Sequence, residues 1–196
     1  MGEISMKSTE LLESLETITR ANLSFVEEYV QPLNDKQLHW NPQPESWNII
    51  QVLAHLNVFA TYYQRVFEEK IKYTVHKQPV EVFHSSPLGR SAWKSVKLGN
   101  LKNIKRKLRA PKLYNPSISK HLILGTEIED FVHFQKMLLE QLKAAYNVNL
   151  RRVKIPISLT PFIKLRLGDA LMFHVYHNER HIEQINKLIH HPNFPK

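Results

Sequence analysis

Three histidines near the C-terminus, His174, His177 and His181, are spaced for metal chemistry. Imidazoles at i and i+4 stand one above the other on a helix and can share one ion, and His177 and His181 have that separation. His174 and His177 are i, i+3, which also permits chelation. His174 and His181 lie two turns and roughly 10 Å apart, so both do not easily join His177 on one ion. Taken alone, H-x3-H is a weak signal, because inward histidines often only satisfy a neighbouring carbonyl or carboxylate. A third ligand from another helix would separate the two readings.

The three histidines belong to residues 169–191, DALMFHVYHNERHIEQINKLIHH, which read as a single helix. Asp169 suits its N-cap, and Leu171, Val175, Ile182, Ile185 and Ile189 recur at helical spacing. With Leu171 at zero and 100° per residue, the histidines fall between about 240° and 300°. Glu179, Arg180, Glu183 and Lys187 centre near about 130°, on the other side, where solvent is expected. The imidazoles therefore point inward.

A partner for them is offered by a second helix over residues 48–70. Asn48-x-x-Gln51 fits a capping box, and Ile49, Val52, Leu53, Leu56, Phe59, Ala60, Tyr63, Val66 and Phe67 form the apolar face. His55 lies at the edge of that face, where a side chain either packs plainly or reaches into a cleft between helices. Asn57 and Gln184 also lie towards the histidine side, as ligand-orienting or purely structural groups.

Two further amphipathic stretches complete the set. Residues 6–30 carry Leu11, Leu15, Ile18 and Phe25 on one stripe and end at Gln31-Pro32. Residues 117–146 carry Leu124, Ile128, Phe131, Phe134 or Gln135, Leu138, Leu142 and Ala145. The connector 33–46 is expected to fold back through Leu38, Trp40 and Trp47. Residues 71–116 lose periodicity and form a basic insert broken by Pro79, Pro87, Gly89, Gly99, Pro111 and Pro116, with a helical turn from Leu101, Ile104 and Leu108. Residues 147–167 form another connector, extended around 153–157, and the tail after 190 reads as loose. The expectation is an all-α four-helix bundle, one domain over residues 1–196. Bundles build metal sites from side chains on facing helices, so His55 with His177 and His181 makes a geometrically sensible triad.

Composition limits the chemistry. The 196 residues contain no cysteine, which excludes disulfides, thiolate ligands and a cysteine nucleophile. Any metal rests on histidine, carboxylate, amide and water, and any thiol must arrive with a substrate. No apolar run reaches the ~18–20 residues of a membrane span, and the start shows no export pattern, so a cytoplasmic protein with no membrane partner is expected. The net charge of +9 is concentrated: residues 70–120 hold thirteen Lys and Arg against Glu81 alone. Such a segment is either a solvated loop or a surface for anions, and Tyr73, Phe83, Trp93 and Tyr114 interleave with the charges as stacking contacts for nucleic acid would. No nucleic-acid recognition motif accompanies it, so nucleic acid is the less favoured partner.

The segment ESWNIIQVLAHLNVF, with Trp47 ahead of a helix carrying His55-Leu56, resembles the second-helix motif of the DinB/YfiT-like superfamily. HNERHIEQI, residues 177–185, resembles that superfamily's last-helix motif, in which two histidines four apart precede Gln-Ile. The two motifs lie about 120 residues apart in the expected order. The resemblance implies a four-helix bundle with three histidines on a divalent metal, often zinc or nickel. By position these are His55, His177 and His181, while His174 has no counterpart and the long basic segment is less typical. It also implies kinship with metal-dependent transferases and isomerases that use low-molecular-weight thiols such as bacillithiol or mycothiol.

Three functions follow as expectations. The first is a metal-dependent enzyme, most concretely a thiol S-transferase acting on a small molecule, with basic residues among 94–112 holding an anionic thiol. The same open site suits a metal-dependent hydrolase. A non-catalytic metal- or ligand-binding protein is the alternative, although closed structural sites usually have four protein ligands and only three stand out here. Bundles of this kind can pair through an outer helix face, which leaves a homodimer open.

Overall fold

The computed structural model describes residues 5–99 and 109–196. In chain order it contains β1 (Ser5–Lys7), α1 (Ser8–Phe25) running into a π-helical turn (Val26–Val30), α2 (Asp35–Leu38) and α3 (Ile49–Tyr73). There follow β2 (Val82–His84), α4 (Pro87–Val96), 3-10 turns at Lys112–Tyr114 and Lys120–Leu122, and α5 (Glu127–Ala145). β3 (Lys154–Ile157), β4 (Thr160–Arg166) and α6 (Leu167–Ile189) close the chain.

The protein is all-α in class, with two small antiparallel ribbons among the described residues, β1–β2 and β3–β4. Helix α3 packs on α5, α5 on α1, α1 on α6 and α6 on α3, so the four long helices form a ring. Their apolar stripes bury two clusters. One holds Leu11, Leu15, Phe67, Leu138, Leu142, Leu171 and Val175. The other holds Val26, Val30, Leu53, Leu56, Phe131 and Ile185, with Leu38, Trp40 and Trp47 packed against it as the connector's composition predicts.

The start of α3 is set locally. Asn48 Oδ1 accepts the Gln51 N–H at 2.9 Å and Gln51 Oε1 accepts the Asn48 N–H at 3.0 Å, the expected capping box. The start of α6 is not. The helix begins at Leu167 with Arg166 at the N-cap, so Asp169 sits inside the first turn and does not cap it. Its carboxylate is fully buried and accepts from the Ser85 hydroxyl, the Ser86 N–H at 3.0 Å and the Ser86 hydroxyl at 2.8 Å. Trp93 Nε1 adds a bond to Ser85 Oγ at 3.1 Å. These bonds fasten α4 to α6, and they leave room only for glycine at 89: a Cβ there would lie 2.0 Å from Asp169 Cγ. Asp169 has its partners some eighty residues away, so its local spacing is misleading.

The long middle segment is more ordered than its periodicity implies. Ser86 caps α4 with Pro87 in the first turn, and β2 pairs with β1 at the start of the chain. The expected turn carrying Leu101, Ile104 and Leu108 lies outside the described residues. Helix α5 begins at Glu127, ten residues later than the reading from 117. Residues 117–126 instead form turns, ending at Gly125 with φ of 85°. Glu127 is buried and accepts the Leu124 and Gly125 N–H groups. Leu124 is exposed rather than buried, and Gln135, not Phe134, takes the inward position.

Two other expectations need correction. Arg180 is buried and does not face solvent. The C-terminal tail is docked: Gln37 Nε2 donates to Pro195 O at 3.1 Å, and the Trp40 ring meets His191 and Phe194 at 5.2 and 5.5 Å.

Candidate metal centre

His55 is presented by the second turn of α3, and His177 and His181 by the middle of α6, at the point where these two helices pack. His55 and His177 are almost fully buried and His181 partly so. One ring nitrogen from each lies within 4.8 Å of the others, and no Asp or Glu joins this group among the described residues. The Nε2 atoms of His55 and His177 face each other at 3.3 Å. Two nitrogens bound about 2.05 Å from a tetrahedral ion stand about 3.4 Å apart, so this pair already has a ligand-like separation.

The opposite edges of two rings are held. His55 Nδ1 is 2.7 Å from the Tyr114 carbonyl and His181 Nδ1 is 2.9 Å from Gln184 Oε1. A carbonyl oxygen only accepts, so His55 carries its proton on Nδ1 and turns an unprotonated Nε2 towards His177. The Gln184 oxygen likewise keeps the His181 proton on Nδ1. Metal-binding histidines are oriented by this kind of outer hydrogen bond. His177 Nδ1 is buried with no hydrogen-bond partner among the described residues.

All three rings are kept neutral. Burial pushes His55 down to about 4, against the Tyr114 hydrogen bond, which raises it. Burial and then the neighbouring His55 push His181 down to about 3, with Gln184 opposing and Arg180 assisting. His177 falls well below the ordinary histidine range, through burial first and then His181 and His55. Neutral imidazole is the form that ligates, so the cluster could hold a divalent ion at neutral pH.

Aromatic rings enclose the cluster. Trp47 lies 4.9 Å from His55 and 6.1 Å from His181 between ring centres, Phe59 lies 4.8 Å from His177, and Phe173 stacks on His177 at 5.8 Å. Tyr114 meets Phe59 at 4.5 Å and donates from its hydroxyl to Ser158 O at 3.2 Å, tying the 109–126 strap to the β3–β4 turn.

A family model described as the DinB superfamily matches residues 18–185. The chain belongs to the DinB superfamily. No curated protein and no solved structure matches it. In this DinB-superfamily chain the two motifs noted in the sequence meet in space, and His174 stays apart. His174 is fully buried against Tyr63 and Phe67 at 5.4 and 5.9 Å, outside the three-histidine group. Asn57 is structural: its Nδ2 donates to Glu127 O at 2.9 Å, joining α3 to α5. Gln184 orients a ring, one of the two roles its position allowed.

Tyr114 acts through its backbone carbonyl, which no side-chain pattern reveals. Trp47, by contrast, was visible beside the His55 motif. The proposed stacking array is absent from the surface, since Phe83, Trp93 and Tyr114 are buried and only Tyr73 of the four is exposed. Among the described residues no helix is long and apolar enough to cross a membrane.

Proposed function

We propose that His55, His177 and His181 hold one divalent metal ion, zinc or nickel, and that the protein is a metal-dependent enzyme, most concretely a low-molecular-weight thiol S-transferase. The observation that carries this is the convergence of three neutral imidazoles, two with their outer nitrogens already bonded to acceptors. Among the described residues no fourth His, Asp or Glu joins the group, which leaves a coordination position for a substrate. A bound divalent ion would supply Lewis acidity there, favouring the deprotonated form of a thiol or of water.

The chain's own residues do the rest. His55 and His181 are pre-oriented by Tyr114 O and Gln184, so little rearrangement is needed on binding. Trp47, Phe59 and Phe173 exclude water around the rings, which strengthens electrostatic interactions inside. With no cysteine in the chain, the thiol comes from the substrate. Of the cations expected to meet an anionic thiol, Lys112 lies on the strap two residues from Tyr114. Lys97 instead covers the Trp93 and Tyr176 rings on the α4 side, and Lys102, Lys105, Arg106 and Lys107 lie outside the described residues.

Elemental analysis of the purified, untagged protein beside His177→Ala tests the site. The expected result is one divalent ion per chain, lost in the variant, followed by metal-dependent transfer of a small thiol to an electrophile. Metal-dependent hydrolysis without thiol transfer would move the assignment to a hydrolase. No metal after incubation with zinc and nickel would overturn both.

A further inference from the structure

A second candidate site lies at the other end of the bundle. The loop after α3, the turn at 149–152 and the β3–β4 ribbon line a half-open cleft of about 770 Å³. Its lining includes His76, Lys77, Arg151, Arg152, Lys154 and Arg166, and among the described residues no Asp or Glu. From His55 to Tyr73 alone α3 runs about 27 Å at 1.5 Å per residue, so the cleft is remote from the histidine cluster.

The cations are placed by specific backbone structure. Asn149 Oδ1 accepts the Arg151 and Arg152 N–H groups, each at 3.1 Å, while the Asn149 N–H donates to His76 O at 2.9 Å. That turn sets both arginines beside the 75–80 loop. The register of the ribbon places Lys154 directly opposite Arg166. Like charges at opposed positions in an antiparallel pair are destabilising. Arg166 also sits at the N-cap of α6, where the positive end of the helix dipole adds to the repulsion.

Apart from the His84 carbonyl, which accepts from Arg166 Nη1, little inside the protein offsets this charge. Among the described residues no carboxylate is in ion-pair range of Arg151, Arg152, Lys154 or Arg166. Asp169 is the acid whose charge reaches Lys154, but it is buried and its oxygens are engaged by Ser85 and Ser86. Burial, and then Arg166, hold the Lys154 ammonium below the ordinary lysine range. Lys77 is committed to the end of α3, donating to Ile71 O and Lys72 O at 2.8 and 2.9 Å.

We propose that this cleft binds a small molecule carrying two or more phosphate groups, held by Arg151, Arg152, Lys154 and Arg166. The volume falls in the ~300–1,000 Å³ range of small-molecule sites, and the concave arrangement differs from the open stripe that a nucleic-acid backbone follows. Arginine forks suit phosphate oxygens, and an anion between the two strands would relieve the Lys154–Arg166 repulsion.

Calorimetric titration of the full chain with inorganic tripolyphosphate, with sulfate as the single-anion probe, tests this. Arg151→Glu/Arg152→Glu alters side chains that are exposed, and Lys154→Gln is a milder second variant in case the first fails to fold. The expected result is saturable binding of tripolyphosphate, at least tenfold tighter than sulfate, and weakened at least tenfold by the double variant. Lys36→Glu/Lys196→Glu, which makes the same change in net charge elsewhere, and His177→Ala should leave the affinity within about twofold. An equal loss in the charge-matched variant would overturn the site as diffuse electrostatics. Absence of saturation, or displacement of tripolyphosphate by a DNA duplex at equal phosphate concentration, would overturn it too.

Discussion

Replacing His174 by phenylalanine should abolish a specific part of the protein's acid sensitivity. His174 is fully buried, neither ring nitrogen has a hydrogen-bond partner among the described residues, and burial pushes its pKa down to about 4. In the unfolded chain the same group titrates near ~6.5. Because the folded value is the lower one, the unfolded state takes up more protons as pH falls. The stability contribution is therefore complete above ~6.5 and is lost progressively from there down to about 4. For these two values the loss between about pH 7.5 and about pH 5 is about 2 kcal/mol. Phenylalanine does not titrate, so this portion vanishes in the variant. Any packing cost of the larger ring is the same at both pH values and cancels. Urea unfolding of both proteins with a chelator present measures the difference. With a slope of about 2 kcal/mol per molar, the wild-type midpoint should fall by about 1 M more than that of the variant. The other buried histidines titrate in both proteins and largely cancel, His177 sensing His174 only as a minor charge neighbour. Equal midpoint shifts would refute the reasoning, because they would mean that His174 is protonated without cost or is already charged when folded.

Three smaller tests address the supports. Gln184→Ala should weaken metal binding by about 10–100-fold in a competition titration while leaving the melting temperature of the chelated protein nearly unchanged, since it removes only the acceptor on His181. Gly89→Ala should destabilise by about 3 kcal/mol in chemical unfolding, because its Cβ would overlap Asp169 in the α4–α6 junction; a neutral effect would show that the junction yields. Asn48→Ala should cost about 1 kcal/mol of stability by removing one half of the α3 capping box, again read from denaturant midpoints.

What was legible in the sequence was whatever depends on neighbours a few residues away. The capping box at Asn48, the inward side of α6, and the apolar stripes of α1, α3 and α5 all follow from spacing alone. The misreadings have different causes. Asp169 has the chemistry of an N-cap but bonds to Ser85 and Ser86, and residues 117–126 have helical-looking spacing but close into turns around Gly125 and Glu127. In the first case a partner supplied by the fold outweighs a local preference of about 1 kcal/mol; in the second, Gly125 and Glu127 close a turn through bonds two and three residues long, a local signal that competes with the helical spacing. Arg180 was placed with the solvent-facing charges by angle, yet near 180° it lies at the edge of that group, and it is buried. Helix α4 was missed because ten residues carry too little periodicity, although Ser86-Pro87 is a usable start signal.

The separation of His174 from the other three follows from register. Along α3, His55 precedes Tyr63 by eight residues, about 12 Å. Along α6, His174 precedes His181 by seven residues, about 10 Å. His55 meets His177 and His181 while Tyr63 meets His174, so the two helices run antiparallel with matched rise. Sliding α3 by two turns would carry Tyr63 towards the cluster and His55 beyond it, and would bury a different set of apolar residues. The packing of Leu53 and Leu56 with Ile182 and Ile185 opposes that slide. Two weak motifs some 120 residues apart thus become one site through the same apolar contacts that hold the bundle, and those contacts decide which three of the four histidines can meet.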